Sequence, residues 1–131
     1  RLFRGELAIE TTDGSKLLYT KLGEFGIFAR SLAGDPAQNP EERLVDDYTP
    51  LLGSIVPVAD GFFYLGLTRI GQPRAFRFFD YATRTAKDVA VAAPSVNIGM
   101  TVSPDGRELL YAANAIESGT DLMLIEFAPA P

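Results

Sequence analysis

The sequence predicts an all-β fold: a β-propeller of four-stranded antiparallel blades, about three of them in this chain. Three observations carry that prediction. An Asp-Gly turn followed by an apolar strand ending in Tyr occurs three times, and its Asp residues lie 47 and 45 residues apart. Apolar residues alternate over short segments in period two, the pattern of half-buried strands. No long window repeats with a helical period, and Gly and Pro interrupt the chain throughout. A repeat of about 40–50 residues holding four strands is the size of one propeller blade. A β-sandwich is the alternative, but it needs no motif recurring at that interval.

The expected units are 1–49, 50–94 and 95–131. Each opens on an extended stretch: Leu7–Thr12, Gly53–Val58 and Ile98–Ser103. The turn follows at Asp13-Gly14, Asp60-Gly61 and Asp105-Gly106. Gly accepts positive φ without a Cβ clash, and Asp bonds its own backbone, so this dipeptide is a hairpin signal. In Ser103-Pro104-Asp105-Gly106, Pro presets φ for the second position of a type I turn. The strands after the turns end at Tyr19, Tyr64 and Tyr111. The third strands are Gly26–Leu32, Ala75–Tyr81 and Leu122–Phe127. Short polar fourth strands follow in the first two units, at Glu42–Asp46 and Lys87–Val91. Phe76, Phe78 and Asp80 point to one face; Arg77, Phe79 and Tyr81 point to the other. Leu122-Met123-Leu124-Ile125 is apolar on both faces, so it is expected to lie covered between two sheets.

Composition narrows the chemistry. The 131 residues contain no Cys and no His, which removes disulfides, thiolate and His-based metal sites, and the Ser-His-Asp triad. The net charge of −5 argues against direct nucleic-acid binding, which needs clustered cations. The middle unit is net positive, but Arg69, Arg74, Arg77, Arg84 and Lys87 are scattered and read as a solvated surface. No apolar run approaches the roughly 20 residues of a membrane helix. Arg1-Leu2-Phe3-Arg4 has neither an initiating Met nor a signal-peptide pattern, and reads as the start of a mature product or a fragment. Ala128-Pro129-Ala130-Pro131 reads as a natural end, because Pro cannot continue a strand ladder.

No residue set reads as catalytic, and no cofactor or metal is expected. Ser103 has neither a nucleophile-elbow context nor a His to take its proton, so Ser103, Pro104, Asp105 and Gly106 read as a structural turn. Asp13, Gly14, Asp60 and Gly61 read the same way, with calcium in a propeller channel as a minor alternative for the Asp residues. Asp46-Asp47 on a strand would diverge to opposite faces and so share no metal or proton; a solvated edge fits them better, and Glu41-Glu42 likewise. Gly23-Glu24-Phe25-Gly26 reads as a hairpin loop. Half of the fourteen aromatic residues fall between Phe62 and Tyr81, which suits packing between blades. A recognition site in a propeller sits at the channel mouth near the innermost strands. Tyr48, Ser54, Arg74 and Asn97 are the candidates for binding a ligand or partner, being polar or amphipathic and near strand ends.

The segment Met100-Thr101-Val102-Ser103-Pro104-Asp105-Gly106-Arg107-Glu108-Leu109-Leu110-Tyr111, followed by Ser118-Gly119-Thr120-Asp121-Leu122-Met123-Leu124-Ile125-Glu126, resembles the last blade of TolB-type, WD-repeat-like bacterial propellers. Gly26–Gly34 with Glu41–Val45, and Phe76–Thr83, look like the preceding blades. There is no Trp-Asp dipeptide, and the full Ser-Pro-Asp-Gly occurs only once. The resemblance implies the C-terminal blades of a larger bacterial protein, non-catalytic, mediating protein–protein interaction or ligand sensing. It also leaves open the substrate-gating propeller of a prolyl-oligopeptidase-like serine peptidase whose catalytic domain is elsewhere. A self-assembled, lectin-like propeller for small ligands is the third reading. The implied compartment is the periplasm or the cytoplasm. Closed propellers need about four to eight blades. Three blades therefore imply a protein partner: the remaining blades of a parent chain, or a second copy in a homodimer whose two arcs close a six-bladed ring.

Overall fold

A computed structural model describes residues 5–48, 54–67, 70–114 and 119–127. Within them the alternating segments form eleven strands: β1 (Ala8–Glu10), β2 (Lys16–Tyr19), β3 (Ile27–Ser31), β4 (Glu42–Val45), β5 (Ile55–Val58), β6 (Gly61–Leu65), β7 (Ala75–Asp80), β8 (Thr85–Val91), β9 (Val96–Val102), β10 (Glu108–Asn114) and β11 (Thr120–Glu126). Each pairs antiparallel with its neighbour in sequence, giving three meander sheets: β1-β2-β3-β4, β5-β6-β7-β8 and β9-β10-β11. The fold is the all-β, blade-like arc that the repeat predicts, and the arc is not closed. Ser118, part of the resemblance to TolB-type propellers, lies outside the described residues, as does the junction at 49–53.

Two of the three Asp turns share one geometry. The Gly14 N–H donates to the Thr11 carbonyl at 2.9 Å, and the Gly106 N–H donates to the Ser103 carbonyl at 2.9 Å. Gly14 and Gly106 sit at φ 70° and 71°, where a Cβ would be strained. The middle turn is different. Val58 pairs directly with Gly61, so Ala59-Asp60 form a two-residue loop and Gly61 is the first residue of β6. Gly61 is required there for space: a Cβ would stand 1.9 Å from the Phe79 carbonyl oxygen. Register therefore aligns Asp60 with Ser15, not with Asp13. The tyrosines mark the true repeat, since Tyr19 pairs with Phe28, Tyr64 with Arg77 and Tyr111 with Met123.

Alternation along these strands builds two cores. Leu18, Ile27, Ala29 and Val45 of the first sheet meet Ile55, Phe62, Tyr64 and Phe79 of the second, with Tyr48 of the connection between them. Phe63, Leu65 and Phe76, from the opposite face of the second sheet, meet Leu109, Tyr111 and Ala113 of the third. Every residue of β6 is consequently buried. Fully burying one such side chain contributes about 1.5–3 kcal/mol, so the middle sheet, covered on both faces, anchors the stack. The innermost strands β1, β5 and β9 adjoin in that order. Pro57, in β5, is tolerated because β5 is an edge strand whose N–H at that position is not needed.

Two expectations are corrected here. Leu122-Met123-Leu124-Ile125 is not covered on both faces: β11 is the outer strand of its sheet, and Leu122 and Leu124 are 71% and 54% exposed. Asp46-Asp47 is not on a strand either. β4 ends at Val45, and the chain bends at both Asp residues, which turns Asp47 back over the joint between the first two sheets.

Candidate interaction face

The strand register makes the two faces of each sheet comparable. One face carries the tyrosine at the end of the second strand, and it looks back toward the preceding sheet. The Tyr64 hydroxyl donates to Asp47 Oδ1 at 2.9 Å, in the segment that leads out of the first sheet. The Tyr111 hydroxyl accepts from the Ala93 N–H at 3.2 Å, in the segment that leads out of the second. Among the described residues no sheet precedes that of Tyr19. Its ring is still buried and lies 6.0 Å from Phe28, and its hydroxyl donates to Glu41. Burial first, then the Glu41 carboxylate, pushes the Tyr19 phenol up to about 12.

The cover over that first face is charged. Lys21 Nζ stands 4.0 Å above the Phe28 ring, and the Arg43 guanidinium 5.2 Å from it. Glu41 also takes Lys21 and, at 3.7 Å, Arg30. Burial would raise the Glu41 carboxyl, but the hydrogen bonds from Lys21 and Tyr19 outweigh it and the net direction is down. Arg43 donates to the Phe25 carbonyl at 2.6 Å and has no carboxylate partner among the described residues. Glu41 and Glu42 lie at the solvated outer strand expected from their sequence and are also ion-pair partners, Glu42 binding Lys16 at 3.8 Å and Arg84 across the joint.

The opposite face looks forward. In the first sheet it consists of Leu18, Ile27 and Ala29, and in the second of Phe63, Phe76 and Phe78; both are covered by the next sheet. Leu110, Leu122 and Leu124 hold the equivalent positions in the third sheet, and nothing among the described residues covers them. Glu108 and Glu126 lie directly opposite each other at the rim of this face, both exposed. Like charges so paired are mutually destabilising without a cation.

Other polar groups are spent within the fold. Thr11 and Ser15 hold Asp13 in its turn, with Thr11 Oγ1 donating at 2.7 Å and the Ser15 N–H at 3.0 Å. Ser103 Oγ donates to Asp105 Oδ1 at 2.6 Å. Arg77 links Asp47 and, at 2.8 Å, Asp88, so it clamps a joint and is not a scattered surface charge. No group of three His, Cys, Asp or Glu residues able to hold a metal exists among the described residues. A cleft of about 180 Å³ between the first two sheets is lined by Asp13, Lys16, Phe79, Tyr81 and Arg84. The buried Tyr81 hydroxyl there has no hydrogen-bond partner among the described residues.

Of the four sequence candidates, Tyr48 and Ser54 are in direct contact. Tyr48 and Ser54 are buried, and the Ser54 N–H donates to the Tyr48 hydroxyl oxygen at 2.9 Å, which ties the connection to the start of β5. Ser54 Oγ accepts from the Gly99 N–H at 3.4 Å in β9. Arg74 is half-buried before β7, its carbonyl accepting from the Ala92 N–H. Asn97, exposed on β9, donates to Asn114 at 2.9 Å. Sequence reasoning missed the forward face of the third sheet, although the double-sided apolarity of Leu122–Ile125 was its signal. It also missed the Asp47–Arg77 clamp, for which no local signal exists.

No helix among the described residues is long and apolar enough to cross a membrane. No family model matches the chain, and no curated protein matches it. Among solved structures, the crystal structure of TolB from Acinetobacter baumannii is similar, with a TM-score of 0.66 at 14% identity over 97% of this chain. The match covers 31% of the TolB chain, so this sequence spans about a third of that protein's length. At that identity the likeness shows the fold.

Proposed function

We propose that this chain is a non-catalytic β-propeller segment of a larger bacterial protein, periplasmic or cytoplasmic, that serves protein–protein interaction or ligand sensing. One observation supports the reading: the forward face of the third sheet carries Leu110, Leu122 and Leu124, and nothing among the described residues covers it. A contiguous exposed apolar face marks an interaction site in a soluble protein. Tyr48, Tyr64 and Tyr81 are held protonated by burial, which suits packing more than proton transfer. The test is turnover. The purified chain should not hydrolyse nitrophenyl esters or generic peptide substrates above the uncatalysed rate. Robust turnover by this chain alone overturns the reading.

The cleft beside Tyr81 favours a second reading, binding of a small hydroxylated ligand such as a saccharide. Its buried hydroxyl lacks a partner among the described residues, and such a group costs about 1–3 kcal/mol when left unsatisfied. A saccharide that raises Tm for the natural chain but not for Tyr81→Phe would establish it. No saccharide-dependent shift would remove it.

A further inference from the structure

The cleft between the first two sheets holds donors and an acceptor with hydrogen-bonding capacity to spare. We propose that it binds a small hydroxylated carboxylate, a sugar acid, with Arg84 and Lys16 on the carboxylate and Tyr81 and Asp13 on one hydroxyl. The proposal rests on the small-ligand reading of this cleft and names the ligand's class. One wall comes from the turn between β1 and β2, the other from the turn between β7 and β8, and both belong to four-stranded sheets.

The Tyr81 ring packs on Phe62 and Phe79, with centroids 6.1 and 6.3 Å away, which fixes where its hydroxyl stands. Burial, then the Asp13 carboxylate, raises the phenol to about 12, so it stays a neutral donor. Asp13 is near enough to act on the phenol, yet the two share no hydrogen bond. Asp13 Oδ1 accepts from Thr11 and Ser15, whereas Oδ2 takes only the Ser15 hydroxyl, at 2.9 Å, among the described residues. A group seated between them has to accept from Tyr81 and donate to Asp13, and a hydroxyl does both. Leu44 and Phe79 add apolar surface to the same cleft. Its volume of about 180 Å³ lies below the roughly 300–1,000 Å³ of sites for drug-sized ligands, so the ligand is a single small unit.

Arg84 supplies the other end of the site. Among the described residues it is the one non-glycine at positive φ, at 57°. Its N–H closes the turn between β7 and β8 on the Asp80 carbonyl at 2.8 Å. That left-handed position favours Gly, and a side chain kept there against strain points to a use for it. The guanidinium lines the cleft and meets Glu42 through Nη2, which leaves Nε and Nη1 as donors among the described residues. Lys16 Nζ stands 3.8 Å from the same Glu42 carboxylate. Two cations thus share one carboxylate. All three side chains are more than a third exposed, and exposed ion pairs are weak enough to exchange for a ligand carboxylate. A guanidinium with two free donors suits a carboxylate in particular. Glu42 and Asp13 together balance Lys16 and Arg84 in charge, so a bare anion gains little here and the ligand has to bring the hydroxyl as well.

The experiment titrates this chain with D-glucuronate, D-glucose and acetate, followed by calorimetry and by thermal unfolding. Glucuronate should bind saturably and glucose about tenfold more weakly, the loss expected when a charge-assisted hydrogen bond is missing. Acetate should not bind. Arg84→Gly should leave Tm unchanged or raise it, since Gly takes this φ freely, and should weaken glucuronate about tenfold while glucose is unaffected. Tyr81→Phe should weaken both sugars. If Arg84→Gly melts lower because Glu42 has lost its partner, Lys16→Met at an exposed side chain decides, and glucuronate alone has to weaken. Glucose binding as tightly as glucuronate, or glucuronate indifferent to both Arg84→Gly and Lys16→Met, overturns the sugar-acid assignment and leaves the cleft a site for neutral saccharides. Acetate binding as tightly as glucuronate overturns the hydroxyl contact and with it the proposal. No binding of any probe overturns the proposal together with the small-ligand reading, and leaves water as the partner of Tyr81.

Discussion

At the scale of single residues, the turns are where sequence and structure stay closest. Asp13 is fully exposed, yet the Thr11 hydroxyl, followed by the Ser15 N–H, holds its carboxyl down to about 2 from an ordinary 3.8. A carboxyl lowered in the folded state adds stability that is whole above its unfolded value and is lost as pH falls toward its folded one. The expected outcome is a Tm that falls between about pH 4 and pH 2, with a shallower slope in Asp13→Asn; equal slopes in the two proteins would refute it. That turn was legible because Thr, Asp and Gly act on their own neighbours. Gly61 was legible only in part. Its dipeptide announced a turn, but what demands glycine is the Phe79 carbonyl arriving from the next strand, which no local pattern reveals. Gly61→Ala should therefore cost about 1–3 kcal/mol in urea unfolding, the usual penalty for forcing extra atoms into packed space.

At the scale of elements, strand positions followed from alternation, while the way strands meet their neighbours did not. All eleven strands lie within or overlap the segments that periodicity marks out, because each depends on a few residues in a row. Asp47 and Arg77 are thirty residues apart and carry no mutual signal, yet they hold the first two sheets together. Burial would lower the Arg77 guanidinium, but the Asp47 carboxylate outweighs it and the net direction is up. Arg77→Met keeps the stem packing and strips the cation. It takes the guanidinium away from Asp47, whose side chain is 17% exposed and keeps the Tyr64 hydroxyl. A loss of about 1–3 kcal/mol in denaturant unfolding is expected, the scale of a hydrogen-bonding group left unmet. A change within experimental error would mean that solvent satisfies Asp47 and that the clamp is ornamental. β11 shows the converse. Its two-sided apolar pattern predicts cover on both faces, and among the described residues only one face is covered.

At the scale of the whole molecule, the tyrosines couple the stack to alkaline pH. Burial is the leading cause that raises Tyr19, Tyr48 and Tyr81 to about 12, and it drives Tyr64 higher still. Tyr48 and Tyr64 belong to the core between the first two sheets, with Tyr81 packed against it, and Tyr19 covers the first sheet's outer face. Each phenol is raised above its unfolded value of 10.0, so its contribution is whole below that pH. Above it the unfolded chain releases protons that the folded chain retains, and stability drains away as pH climbs from about 10 toward 12. Ionisation and unfolding should therefore coincide. Phenolate absorbance is expected to rise steeply, in step with loss of the β-sheet circular dichroism signal, and to show hysteresis on return if the exposed strands associate. Gradual ionisation near pH 10 with the sheet signal intact would show that solvent reaches these rings, and that the sheets are not packed as wedges against one another.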